Sequence, residues 1–273
     1  PGMASGEDVG FGRAEMGSEV LAGTASASAG RHIFLVWGKA AEWPEKTPGQ
    51  CPEGSLPRKL DEALKTAEKS LAKKVKWNLI EAGAADSEGD VLVFPDYVRF
   101  RLGCDGDQGK LTAFINYLCA TGDKKTSDIE DLAGGFAFVC AHANRDARCG
   151  HCGPRLAEAI EAMNSKDVNV RRCSHVGGHK YAGNVIMFSG VGAEEDGHWY
   201  GYVTPENVGS ILSGKAAYGH LWRGQLGLSA GDQKERYRRL RRWRQGKPLA
   251  AAAGVVLLAV GVAYLMKCRS RPA

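Results

Sequence analysis

The chain has 273 residues, 44% hydrophobic and 25% charged, a globular composition that excludes overall disorder and suits one large core or two small ones. Its formal charge of +5 is uneven: Lys234–Lys247 holds eight basic residues against Glu235, Lys267, Arg269 and Arg271 follow, and the first 233 residues sum to −5. Basicity confined to one end does not make a nucleic-acid surface, so no nucleic-acid partner is expected.

Residues 1–30, rich in Gly, Ala and Ser, read as a disordered arm. No apolar segment stands near residue 1, so the eight cysteines read as reduced thiols or metal ligands rather than a secreted disulfide framework. The first half, 31–122, predicts a strand over His32–Trp37 and a long helix over Leu56–Lys74, with Leu60, Ala63, Leu64, Ala67 and Leu71 on one face. A strand over Val75–Glu81, a strand pair within Asp90–Phe100 and a helix over Lys110–Leu118 complete it. It carries no histidine pair and reads as a scaffold without metal ligands.

After a linker at 123–133, the second half, 134–228, repeats that order. Phe136–His142 is a strand, Pro154 opens a helix through Met163, and Val168–Cys173, Asn184–Ser189 and Trp199–Val203 are strands. A helix over Glu206–Leu212 follows, with Thr204 as N-cap and Pro205 at its first position. The order βαβββα with a right-handed crossover is thioredoxin-like.

Residues 229–247 form a basic amphipathic segment, followed at 248–266 by nineteen residues without a charge and a basic tail at 267–273. As a helix those nineteen span roughly 28 Å, close to a hydrocarbon core of about 30 Å. Trp243, Arg244, Lys247 and Lys267 flank them as interfacial anchors. The expectation is a tail anchor in an organelle membrane, the chloroplast outer envelope first and the mitochondrial outer membrane second, with protein partners in a membrane complex.

Two segments carry chemistry. Cys149-Gly-His-Cys152 matches a disulfide-exchange dithiol at a helix start, although no Trp precedes it. His175-Val-Gly-Gly-His179 is placed on a loop, because two glycines would cost a helix about 2 kcal/mol. Cys140 and Cys149 on one loop and His175 and His179 on another would converge at one end of the sheet. Such a set suits a zinc ion or a [2Fe–2S] cluster, and spacing alone does not choose. Cys152 and Cys173 are secondary thiols, and His142, His151, His198 and His220 read as ordinary polar or core histidines.

The strings FVCAHANRDARCGHCGP, CSHVGGHKYAGNVIMF, HWYGYVTPENV and LWRGQLGL, with SLPRKL and GDVLVFPDYVRF upstream, resemble the sucrase/ferredoxin-like family of bis-histidinyl thioredoxin-like ferredoxins. The resemblance covers about residues 31–228 and implies a [2Fe–2S] cluster on Cys140, Cys149, His175 and His179. The expected fold class is therefore α/β: two thioredoxin-like halves, the second ferredoxin-type, then a basic helix and one C-terminal transmembrane helix. The expected function is electron transfer or redox sensing at an organelle membrane, by a carrier rather than an enzyme with its own substrate. The alternatives are an accessory subunit of an organellar membrane complex, for example a protein translocon, and a disulfide oxidoreductase using Cys149 and Cys152. Neutral imidazole ligands raise a cluster's potential and carry a proton on the free nitrogen. Redox titration of the purified protein should give a potential that falls with rising pH; a flat line between about pH 6 and 9 contradicts the histidine ligation.

Overall fold

The structure, a computed structural model, describes residues 10–17, 19–120, 128–163, 168–191 and 196–243. It separates into two units, 1–233 and 234–273. Of the second, the described residues 234–243 are helical, and Trp243 is exposed.

In the first unit the apolar run after Gly30 forms β1 (Arg31–Val36), every residue of which is buried. Its alternation serves two layers: Ile33 and Leu35 join one apolar cluster, Phe34 and Val36 another. A strand covered on both faces needs such an unbroken apolar run. The next element, α1 (Leu56–Ala67), buries Leu56, Leu60 and Leu64 at i, i+4 spacing, with Pro57 in its first turn. It ends before the expected Lys74, because residues 68–74 are polar but for Leu71 and Ala72 and the chain must return to place Lys74 O against the Gly30 and Arg31 N–H groups.

β2 (Val75–Ile80) pairs parallel to β1, and β3 (Asp90–Phe94) lies antiparallel on its other side. β4 (Val98–Arg101) continues the meander, followed by α2 (Gln108–Cys119). The second half repeats the order: β6 (Gly135–Cys140), α3 (Ala147–Met163), parallel β7 (Val168–Cys173), antiparallel β8 (Val185–Phe188) and β9 (His198–Tyr200), then α4 (Val208–Leu212). β5 (Ile129–Asp131) extends the first meander and β10 (Trp222–Gln225) the second.

The expected fold class is corrected here. In place of two thioredoxin-like halves, one mixed ten-stranded sheet runs β10-β9-β8-β6-β7-β2-β1-β3-β4-β5. The halves join where Ile80 pairs with Cys173, supported by Ser174 N–H to Leu79 O at 2.8 Å. In a flat sheet β1 and β6, three strand spacings apart, would be about 14 Å apart. Yet Phe34 of β1 stacks on Phe138 of β6 with centroids 3.6 Å apart. The sheet therefore folds back at the seam, closing on an aromatic layer that also contains Phe94 and Phe188, stacked at 4.3 Å.

A second correction concerns the C-terminal end. Among the described residues no helix is long and apolar enough to cross a membrane, and the stretch 248–266, with Arg244, Lys247 and Lys267, lies outside them. The 17-residue helix α3 is interrupted by Arg148, Arg155, Glu158 and Glu161. The expected transmembrane helix, and with it the membrane partner, is withdrawn.

The described part of the stretch 1–30 packs into the fold. Leu21, Ala25, Ala27 and Ala29 are buried, Gly23 N–H donates to Arg223 O at 2.9 Å, and Gly227 N–H donates to Ala27 O at 2.7 Å.

Asp86, whose side chain is fully buried, ties the halves by charge: Arg171 Nε of β7 and Arg99 NH2 of β4 each donate to it at 2.6 Å. Burial alone would raise its pKa, but the Arg171 hydrogen bond and charge, the Gly83 N–H and Arg99 outweigh that and hold it below the ordinary carboxylate value. Asp86→Ala should therefore lower the unfolding free energy by about 3 kcal/mol in urea titrations, because buried Arg171 loses its carboxylate, while Arg99 keeps Glu130 and Asp90. The Asp86 contribution is complete above the ordinary carboxylate pKa and is lost as pH falls through the depressed folded value. Equal acid sensitivity of wild type and Asp86→Ala would contradict it.

Candidate metal centre

Cys140 ends β6, and its N–H donates to Asn184 O at 3.0 Å. The chain then turns at His142, whose carbonyl accepts from the Arg145 and Asp146 N–H groups, both at 3.2 Å. α3 starts at Ala147, seven residues before Pro154, so Cys149 and Cys152 lie within its first turns rather than ahead of it. The Asp146 carboxylate holds this helix start, accepting the Arg148 N–H at 3.0 Å and its guanidinium at 2.9 Å. Gly150 and Gly153 explain the close approach: a Cβ at Gly150 would lie 2.5 Å from Ala143 Cβ, and one at Gly153 2.3 Å from Cys140 O. Small residues let the helix lie on the loop and bring its thiol to Cys140.

The second loop leaves β7 after Cys173. Gly177 (φ 99°) and Gly178 (φ 72°) take the left-handed conformation that a Cβ disfavours, and a short 3₁₀ turn covers His179–Tyr181. Remote residues hold it. Asn78 Nδ2 of β2 donates to His175 O at 3.0 Å, Asn184 Nδ2 to Gly178 O at 3.0 Å, and Arg223 NH1 of β10 to Gly177 O at 3.0 Å. His142 Nδ1 accepts the His175 N–H at 3.2 Å, which puts its ring proton on Nε2, facing Pro44 O at 3.1 Å. Burial keeps that imidazole below its ordinary pKa.

These elements bring three of the four expected ligands together. The sulfurs of Cys140 and Cys149 and a ring nitrogen of His175 lie within 4.8 Å of one another. His179 stands at the rim: its ring centroid is 5.6 Å from that of His175, its side chain is 46% exposed, and its Nδ1 lies 4.0 Å from Asp146 Oδ2. Cys152 is buried outside this group, its sulfur accepting from Arg13 NH1 at 3.4 Å. Cys173 is buried at the seam, in register with Cys140.

The electrostatics ask for a cation. A hydrogen bond from Cys149 and the His175 ring, with the Val176 N–H, pull the Cys140 thiol well below its ordinary pKa against burial, while the same bond and burial push Cys149 up. A bound metal would take both as thiolates. His175 Nδ1 is buried without a hydrogen-bond partner, an unmet need of the kind a ligated metal or its inorganic sulfide can meet. The donor set therefore fits a thiolate–imidazole metal group. It does not fit disulfide exchange, which needs a reachable thiol of low pKa, whereas Cys149 and Cys152 are buried and both shifted upward.

The molecule so defined is an α/β protein in which Cys140, Cys149 and His175 form a group that could hold a metal ion. The pattern of the sucrase/ferredoxin-like family matches residues 21–226, and the chain belongs to that family. Among curated proteins it is similar to "Altered inheritance of mitochondria protein 32" of Candida glabrata, 40% identical over 82 residues, 28% of this chain and 26% of that protein. The proteins of that name from Clavispora lusitaniae (43% over 95 residues, 32% and 34%) and Debaryomyces hansenii (36% over 115 residues, 39% and 42%) are also similar. In these three the match spans 26–42% of the relative's length. No solved structure matches. The relatives' names refer to mitochondria and none to a chloroplast envelope, which with the absence of a spanning helix among the described residues overturns the expected tail-anchored envelope location.

Residues 140, 149, 175 and 179 were singled out from the sequence; Asn78, His142, Asn184 and Arg223, which hold the loops, were not. Only His142 carried a local signal, standing two residues from a ligand candidate. Gly153→Ala should separate Cys149 from Cys140 and destabilise the fold by about 1–3 kcal/mol through overpacking. The check is the thiolate-to-cobalt charge-transfer band on Co²⁺ titration, expected to be lost, while Gly209→Ala, where a Cβ meets nothing within 4 Å, should keep it.

Proposed function

We propose that the chain is an electron-transfer or redox-sensing protein that carries a [2Fe–2S] cluster, with Cys140 and Cys149 holding one iron and His175 and His179 the other. The observation that carries this reading is the group of two buried sulfurs and one imidazole nitrogen within 4.8 Å, with a second imidazole on the same glycine loop. Membership of the sucrase/ferredoxin-like family supports it. When bound, such a group supplies one-electron uptake and release. The protein's part is to fix the donors: Asn78, His142 and Arg223 hold the His175–Gly178 backbone, and the Asp146 carboxylate stands beside His179 Nδ1, as carboxylates do behind ligating imidazoles. The partly exposed His179 edge is the natural entry for an electron partner, since buried Cys140 and Cys149 face inward. The relatives' names support a place in mitochondria.

Iron and acid-labile sulfide analysis of the purified chain should give two of each with visible absorption of an iron–sulfur protein. Cys140→Ser and Cys149→Ser should abolish the colour and Cys152→Ser should keep it. A colourless protein with a single zinc would exclude electron transfer, and loss of colour in Cys152→Ser would show the ligand set to be wrong.

A further inference from the structure

The buried arginines of this protein show one exception. Arg31 has Asp96 at 2.8 Å, Arg99 and Arg171 share Asp86 at 2.6 Å, and Arg13 has Glu15 at 3.1 Å. Arg223, at 1% exposure the most deeply buried of the five, has no carboxylate among the described residues. Its Nε donates to Thr24 Oγ1 at 3.1 Å, NH2 to Thr24 O at 2.6 Å, and NH1 to Gly177 O at 3.0 Å and Asn184 Oδ1 at 2.6 Å. Every acceptor is neutral. These bonds satisfy the donors but leave the charge uncompensated, and an uncompensated buried charge costs several kcal/mol. Burial draws its pKa down to about 10, and Tyr181, Cys140 and Cys149 oppose that shift, so the group keeps its charge at neutral pH.

The space around the guanidinium is cleared for it. A Cβ at Gly178 would stand 2.4 Å from NH2, and one at Gly201 2.7 Å from Cδ. The cation thus lies against the backbone of the histidine loop, with the Tyr181 ring 4.8 Å from Cζ, and one residue links it to a thiol: Asn184 accepts from Arg223 through Oδ1 and from the Cys140 N–H through its carbonyl.

We propose that Arg223 is the counter-charge of the reduced metal centre: two thiolates and two neutral imidazoles leave a [2Fe–2S] centre neutral when oxidised and negative once it takes up an electron, and the buried cation bonded to Gly177 O, with no carboxylate of its own, stabilises that electron. This rests on the reading of an iron–sulfur centre at Cys140, Cys149, His175 and His179. A residue that merely tied the N-terminal arm to the loop would need its hydrogen bonds but not an unpaired charge.

Three variants of the full chain separate charge from fit. Arg223→Lys keeps the charge, Arg223→Met removes it, and Thr24→Asp keeps the guanidinium but gives it a carboxylate where the Thr24 hydroxyl now accepts. After iron and sulfide are measured, each protein is titrated against a redox dye. Arg223→Met and Thr24→Asp are expected to shift the oxidised-to-reduced ratio at a fixed potential about tenfold toward the oxidised form, 59 mV for a one-electron couple, and Arg223→Lys to stay near wild type. Should Arg223→Met fail to fold, Thr24→Asp, which retains the arginine, decides. An iron-loaded Thr24→Asp protein with the wild-type potential would overturn the inference. Loss of iron from Thr24→Asp but not from the neutral Thr24→Asn would support it, and loss from both would overturn it. A wild type without iron and sulfide would instead remove the underlying reading.

Discussion

The seam between β2 and β7 is the constraint on which the site depends. Because Ile80 pairs with Cys173, the last residue of β7 is held by the first half of the chain, and the next residues continue the tie: Leu79 N–H donates to Ser174 Oγ at 2.9 Å and Asn78 reaches His175 O at 3.0 Å. The histidine loop therefore starts from a fixed point. From the same half, Pro44 O and Trp43 O accept from His142, which in turn positions the His175 N–H. Among the described residues the first half brings none of the candidate ligands; it fixes the posture of the half that carries them, through carbonyls, an amide and a strand edge.

Behind the seam the interior is polar where it meets the loop and aromatic where it does not. His32 is fully buried, and burial, aided by the Lys76 charge, lowers its pKa to about 3, so it is neutral. It meets Asn78 Oδ1 at 2.9 Å, and Asn78 spends its Nδ2 donors on Ser174 and His175. This line crosses from β1 through β2 to the histidine loop. The adjoining Phe34, Phe94, Phe138 and Phe188 layer needs no such satisfaction and excludes water from the far side. Division of one sheet face into a hydrogen-bonded strip and a dry aromatic strip lets polar groups hold a loop from within the core, with His32 Nδ1 left buried without a partner.

Much of this order is legible in the sequence because each half repeats short apolar runs of strand length, bounded by glycine, proline and polar turn residues. The strand over Val168–Cys173 and the non-helical HVGGH segment follow directly from composition. Pro154 misled, since a proline after glycines resembles a helix start, whereas here the glycines at 150 and 153 exist for backbone contact inside a helix already under way. The arm misled for a related reason. Alanine, glycine and serine suggest disorder when counted, yet Ala25 packs so near Gly224 that a Cβ there would lie 2.8 Å from it. Small residues mark both flexible chain and tight packing, and only the partner tells them apart. Thr24 and Arg223 are 199 residues apart, a pairing no local pattern encodes.

That separation says how the site is assembled. A loop with two left-handed glycines makes few contacts of its own, and here its carbonyls are taken by Asn78, Asn184 and Arg223, residues from both halves and from the strand that the N-terminal arm braces. Closing so long a loop is entropically unfavourable until intervening elements are in place. The thiol pair, by contrast, is nine residues apart and is set by one loop and one helix turn. Half of the donor set is therefore local and half is a product of the complete fold. A metal that requires both would bind the finished sheet and stabilise it as a whole, since its binding energy is counted only against chains in which the seam, the arm and β10 are all formed.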